Sequence, residues 1–176
     1  RSFQPDLIMT PRPWDYHPDH RYTAQVVQDA LYMVTVPNVV SSVPYLRTNP
    51  VAVYMWDHFQ KPYPFTPHVV VAIDEVFEQK LDAVHCHTSQ FYEWLPYNAG
   101  ILDQVPEGDA ARRAWLREMR EPAARRLADL YRAQLIELYG PEKGGAVCYA
   151  EAFEVCEYGA PLGEQERARL FPFIGH

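Results

Sequence analysis

The sequence predicts an α/β fold, on three observations. Two short apolar runs of strand length, residues 6–11 and 68–73, are each followed directly by apolar residues at helical spacing. A long stretch, residues 108–139, is rich in Ala, Arg, Leu and Glu and reads as helix. Strands alternating with helices point to a sheet covered by helices, here an unusually small one with extra helices toward the C-terminus. With 176 residues, 48% of them hydrophobic, the chain has the apolar mass for a single globular domain.

The elements follow in order. Asp6-Leu7-Ile8-Met9-Thr10-Pro11 is a buried strand entered after Pro5 and closed by Pro11. Thr23, Val27, Ala30 or Leu31, and Val34 then recur at three to four residues, so a helix starts near His17 to Asp19 and ends before Pro37. Pro18 suits its first turn, and Asp19 suits a cap or first-turn carboxylate. Residues 35–66 carry five prolines and read as irregular loops around one strand, Val51 to Met55. His68 to Ile73 is a second buried strand. Asp74, Glu75 and Glu78 place acid in the first turn of the next helix, which the macrodipole favours, and its apolar spacing runs to about Tyr92. A loop covers 94–107. In 108–139 two helices are expected, because Pro122 breaks one continuous helix and fits the first turn of a second. The second carries Leu127, Leu130 or Tyr131, Leu135 and Leu138 on one stripe and stops at Gly140-Pro141. Ala146 to Val155 fits strand or helix.

Composition bounds the function classes. The formal net charge is -7 with no Lys/Arg run, which argues against a nucleic-acid partner. No apolar run approaches the roughly 20 residues of a membrane span. Cys86, Cys148 and Cys156 form no metal or redox pair, so a reduced, cytoplasmic compartment is favoured. The Arg1 start suggests a missing upstream portion.

The densest polar cluster is Trp14-Asp15-Tyr16-His17-Pro18-Asp19-His20, directly after the first strand. Beyond the carboxyl ends of strands is where α/β sheets bind ligands. Two imidazoles and a carboxylate can supply a metal ligand, an acid-base group and a partner that orients it, while a surface helix start with a capping Asp uses the same residues.

The run from Asp6, followed by His17-Pro18-Asp19-His20 opening a helix, resembles the second half of the LmbE/PIG-L family of zinc-dependent N-acetylglucosaminyl deacetylases. Lys80, Ala83, His87, Ser89 and Gln90 resemble that family's Lys-x-x-Ala-x-x-x-His-x-Ser-Gln helix, and Tyr149-Ala150-Glu151-Ala152-Phe153 its C-terminal segment. The resemblance spans most of the chain. It implies a Rossmann-like fold, with His20 as a zinc ligand, His17 as an acid and oxyanion partner, and Asp19 holding His17. Trp14 and Tyr16 are placed to line a substrate pocket. The implied reaction removes an N-acetyl group from a small amino-sugar conjugate, with Zn2+ as cofactor; which conjugate, and whether the protein forms a homo-oligomer, stay open.

One departure weighs against this. The family's other zinc ligands and its general base come from a His-Pro-Asp-Asp motif after an earlier strand, and no such motif stands in residues 1–176. The other histidines, His58, His68, His85, His87 and His176, lie outside any such context. A catalytic zinc site normally takes three protein ligands. The chain is therefore expected to be the C-terminal portion of a single deacetylase domain whose N-terminal portion is absent. The rival is a non-catalytic carbohydrate-binding or structural domain with an incomplete zinc site; a third reading is a zinc hydrolase of another amide.

Elsewhere, His87 and Gln90 are expected to form a polar network at a helix end with Cys86 as a packing residue. Phe91, Tyr92, Trp94 and Tyr97 suit core packing or sugar stacking. Asp57-His58 carries little information by adjacency alone. Arginines 112, 113, 117, 120, 125 and 126 read as a solvated helix face.

Overall fold

Leu7 to Thr10 form strand β1, bounded by the prolines that predicted it. The structure, a computed structural model, describes residues 1–174, so His176 lies outside the described residues. Helix α1 spans Pro18–Met33, with His17 as N-cap and Asp19 in the first turn. Its buried residues are Ala24, Gln28 and Leu31, so the inward face is turned from the Thr23/Val27 stripe expected from hydrophobicity. A polar contact explains the turn. The Gln28 amide donates to the Tyr54 hydroxyl at 2.5 Å, and that hydroxyl donates to the Cys156 thiol at 3.1 Å. Tyr22 and Val26 are left exposed as a result. Burial first, then the Cys156 thiol, pushes the Tyr54 phenol above its ordinary pKa. Tyr54→Phe, which strands the buried Gln28 amide, is expected to cost about 1–3 kcal/mol in urea unfolding. At the other end of α1, the Arg1 guanidinium donates to the carbonyls of Met33, Val34 and Val36 at 2.7, 3.0 and 2.7 Å, placing a cation at the negative end of the helix dipole.

Strands β2 (Val51–Met55), β3 (Val69–Ala72) and β4 (Ala150–Val155) complete a mixed sheet of order β1-β2-β4-β3. β1 runs parallel to β2, with Leu7 opposite Val51 and Thr10 opposite Tyr54. β4 runs antiparallel to β2, with Val53 opposite Val155. After β4 the chain turns back at Gly159, where a Cβ would lie 2.7 Å from the Ala52 nitrogen and 2.8 Å from the Pro50 oxygen, so only glycine fits. A last helix in this part, Glu164–Leu170, has acids in its first turn and arginines in its last, the arrangement the macrodipole favours, yet the sequence reading contained no element there.

The chain divides into two units, with boundaries inside β3 and β4: Arg1–Val70 together with the chain from Ala152 onward, and Val71–Glu151. The elements above, apart from the boundary residues, form the first. The second holds α2 (Phe77–His85), α3 (Leu95–Asn98), α4 (Asp109–Leu130), α5 (Arg132–Tyr139) and α6 (Pro141–Ala146), making the helix at Glu164–Leu170 α7. The helix expected to reach Tyr92 stops at His85 and resumes as one π-helical turn over Gln90–Trp94. Pro122 does not break α4. It sits exposed, where the Glu118 carbonyl that loses its partner faces the solvent side, and the break falls at Tyr131, with φ -110° and ψ 26°. The open segment 146–155 divides into the end of α6 and strand β4.

The α4 arginines do lie on a solvated face, with Arg120, Arg125 and Arg126 exposed, and Arg113, Arg117 and Arg125 build an ion-pair lattice along it. Arg113 reaches Glu78 at 2.9 Å and Asp82 at 2.6 Å, and Arg117 pairs with Glu78 and Glu121. Arg125 joins Glu121 at 2.7 Å, and the Tyr149 hydroxyl donates to the same carboxylate at 2.7 Å. The Tyr149 bond first, then Arg125, holds the Glu121 carboxyl below its ordinary value of 4.5. A carboxyl depressed on folding stabilises the fold above its unfolded pKa, and that contribution is lost as the pH falls through the folded value. Glu121→Gln is therefore expected to lower the melting temperature slightly near neutrality and to flatten its fall below pH 4.5, so that parent and variant converge in acid, as read by thermal melts from neutral to acidic pH.

Lys80 and Glu151, from two of the segments that carried the family resemblance, form an ion pair in this unit. The expected His87/Gln90 network is absent from the described residues. Both side chains and Cys86 are exposed, because the helix ends about two turns early. His85 takes that role, with Nδ1 2.6 Å from the Tyr92 hydroxyl and Nε2 3.0 Å from Asp109. Tyr92 is core, whereas the Trp94 and Tyr97 rings are exposed, 6.1 Å apart. No helix among the described residues is long and apolar enough to cross a membrane.

Candidate functional site

The carboxyl end of β1 delivers the chain through Pro11-Arg12-Pro13 into the Trp14–His20 turn, and α1 begins at once. Asp15 organises this turn. Its Oδ1 accepts the His17 N–H at 2.8 Å, and its Oδ2 lies 3.0 Å from Nδ1 of His20. The Asp15 side chain is nearly covered at 14% exposure, whereas half of the His20 ring faces solvent. Arg21 ties the same loop from the helix side, donating to the Asp15 and Tyr16 carbonyls at 2.9 and 2.6 Å.

These contacts set the two imidazoles in opposite tautomers. A carboxylate only accepts, so His20 carries its hydrogen on Nδ1 and turns a lone pair outward at Nε2. His17 accepts the Asp19 backbone N–H on Nδ1 at 3.2 Å, so its hydrogen sits on Nε2. The rings lie 4.9 Å apart between centroids, tilted by 35°. One ring thus presents an acceptor and its neighbour a donor. The Asp19 carboxylate, expected to hold His17, stands 4.0 Å from Nδ1 and is largely exposed; its backbone amide makes the contact instead.

Of the residues singled out in the sequence, His17, His20 and Tyr16 converge: the Tyr16 ring lies 5.9 Å from His17, 6.3 Å from His20 and 6.3 Å from Phe59. Trp14 makes none of these ring contacts and meets Tyr63 edge-on at 4.7 Å. Beneath the turn lies Arg12, whose side chain has 0% exposure and is bound in bidentate fashion by Asp57 at 2.8 and 2.6 Å. Burial alone would lower the Arg12 pKa; the bond and charge of Asp57 more than offset this and raise it, so the guanidinium stays charged. Sequence reading missed Asp15 as the orienting carboxylate and Arg12–Asp57 as a pair. The signal for the pair was present. Thr10 stands opposite Tyr54 in parallel register, which brings the residues just past both strands together, and a lone Arg between prolines after an apolar strand, of which only Thr10 is buried, needs an acid there.

The described residues do not assemble a zinc site. No group of three or more His, Cys, Asp or Glu among them is arranged to hold a metal ion. What they present is one imidazole, His20, with its outward nitrogen fixed by a carboxylate, the arrangement in which metal-ligating histidines are found.

No protein-family model matches the chain. Among curated proteins it is similar to diacetylchitobiose deacetylase of Thermococcus kodakarensis, 31% identical over 105 residues, which are 55% of this chain and 38% of that protein. The chain thus spans well under half the length of the curated relative it matches. Among solved structures it resembles N,N'-diacetylchitobiose deacetylase from Pyrococcus horikoshii complexed with its inhibitor MPG, with TM-score 0.56 and 24% identity over 90% of this chain and 48% of the other. It resembles equally the 4-carboxy-2-hydroxymuconate hydratase GalB from Pseudomonas putida, with TM-score 0.56 and 15% identity over 86% of this chain and 52% of that one. At these identities the structural likenesses establish the mixed α/β fold alone, and one fold carries two reactions in the two neighbours.

Proposed function

We propose that this chain is the C-terminal portion of a Rossmann-like LmbE/PIG-L-type deacetylase domain that hydrolyses the N-acetyl amide of an N-acetylglucosamine-type conjugate. The observation that carries the reading is the 31% identity to a diacetylchitobiose deacetylase over 105 residues. The geometry supports it, because amide hydrolysis calls for a hydrogen donor at the carbonyl oxygen and leaving nitrogen next to an electrophile or base. The outward Nε2–H of His17 suits the first role. His20 Nε2 is proposed as one zinc ligand, oriented by Asp15, with further ligands from an N-terminal portion outside the described residues. Zinc would supply Lewis-acid polarisation of the amide carbonyl. β1 offers such a portion a place, since its outer edge has no strand partner among the described residues. Tyr16 and Trp14 are proposed to pack against the sugar ring, because amphipathic aromatic faces match the C–H faces of a pyranose.

The missing donor set among the described residues favours the second reading, a carbohydrate-binding domain without zinc chemistry. Metal analysis of the full-length protein, with acetate release from N,N'-diacetylchitobiose, separates the two. Zinc near one equivalent with acetate release supports the deacetylase. Sugar binding with neither zinc nor acetate supports the rival, and zinc with hydrolysis of another amide points to the third reading.

A further inference from the structure

Residues 57–65 are irregular and make no backbone-to-backbone hydrogen bond among the described residues. Their position is set by side chains instead. Asp57 Oδ1 accepts the Phe59 N–H at 2.9 Å. Arg12 binds that carboxylate through Nε and Nη2, and then donates from Nη2 to the Phe59 carbonyl at 3.0 Å and from Nη1 to the Tyr63 carbonyl at 3.2 Å. The same guanidinium lies 5.5 Å from the Tyr63 and Phe65 ring centres and 5.7 Å from that of Trp14. Glu154, 3.9 Å from Nη1, accepts the Thr66 N–H at 2.6 Å and closes the far end of the segment. One buried cation thus replaces the ladder that a strand would have provided.

The rings held this way pack on the aromatics of the Trp14–His20 turn. Phe59 stands against Tyr16, which stands against both histidines, and Tyr63 stands against Trp14. We propose that Arg12 is a positioning residue: through Asp57 it holds Phe59 against Tyr16 and Tyr63 against Trp14, and this aromatic backing of the turn that carries His17 and His20 sets affinity for the sugar ring. The sugar part of the proposal rests on the deacetylase reading; the clamp does not. It also gives a specific role to part of the Pro-rich segment at 35–66, which the sequence marks only as irregular loops around one strand.

A buried ion pair can be replaced by apolar residues of similar size without loss of stability, whereas removing one partner strands the other's charge. That difference separates positioning from mere support. Arg12→Met and Asp57→Leu are each expected to lower the melting temperature, and the double variant to recover it. In the recovered double variant the amides of residues 57–65 still exchange hydrogen faster than in the parent. The dissociation constant for N,N'-diacetylchitobiose rises about tenfold or more, with KM raised and kcat little changed. Arg12→Lys keeps the charge and loses the fork, so it serves where the apolar variants fail to fold: faster exchange in 57–65 and weaker sugar binding are expected at a near-parental melting temperature. Parental exchange and parental affinity in the double variant, or in Arg12→Lys, would overturn the proposal. A parent protein with no affinity for the sugar overturns the deacetylase reading instead, and hydrogen exchange then decides the clamp on its own.

Discussion

His17→Ala is expected to lower the proposed deacetylation turnover by about 10²–10⁴-fold while zinc content is unchanged, because it removes a positioned hydrogen donor and no ligand. His20→Ala is expected to abolish both. The two rings are only 4.9 Å apart, and the contrast arises from their tautomers. Asp15 turns the lone pair of His20 outward, while the Asp19 amide turns the hydrogen of His17 outward. Asp15→Asn gives an intermediate case. It keeps the loop's shape, since an amide oxygen still accepts the His17 N–H, but weakens the orientation of His20; metal affinity should fall about 10–100-fold. Zinc measured per chain, together with acetate release for each variant, checks all three. Equal zinc and equal turnover in the two histidine variants would sink the assignment.

Phe77→Ala is expected to cost about 3–5 kcal/mol, the range for emptying a buried aromatic site. Phe77 is 2% exposed at the start of α2 and stacks on Tyr149 with centroids 4.0 Å apart and planes within 12°. The Arg117 guanidinium lies 5.5 Å from its ring centre. Tyr149 in turn anchors the Glu121 carboxylate, so the cavity also loosens the ion-pair lattice on α4. Chemical denaturation should show the loss, and thermal melting should fall by roughly 6–20 °C. A change below 1 kcal/mol would mean that the site collapses without a cavity.

How far the sequence could be read depends on whether a residue's environment is local. β1, β2 and β3 are legible because Leu-Ile-Met-Thr, Val-Ala-Val-Tyr-Met and Val-Val-Val-Ala are apolar runs of strand length with proline punctuation nearby. The start of α1 is legible from Pro18 and Asp19. Pro122 misleads, since proline breaks a helix only where the lost hydrogen bond and ring clash cannot be absorbed, and an exposed turn absorbs them. The face of α1 misleads because hydrophobic periodicity cannot see that Gln28 has a phenol 26 positions later to bond. At the site, the cluster from Trp14 to His20 stands out by composition, but its internal wiring does not. Asp15 rather than Asp19 reaches an imidazole with its carboxylate, a matter of loop geometry that spacing leaves undetermined. Asp57 is uninformative beside His58 because its partner is 45 residues away, in the loop just past the neighbouring strand.

The second unit leaves the first within β3 and returns within β4, and its two ends are held side by side. The His68 N–H donates to the Phe153 carbonyl at 2.8 Å on one side of the crossing, and the Ile73 N–H to the Tyr149 carbonyl at 2.9 Å on the other. Such an excursion is modular. A hairpin in its place is expected to leave the path of β1, β2 and the Trp14–His20 turn intact, since Arg12, Asp15, His17, His20 and Asp57 all lie on the portion that would remain. Lengthening or trimming the chain between residues 71 and 151 is thus expected to leave the register of the Trp14–His20 turn unchanged.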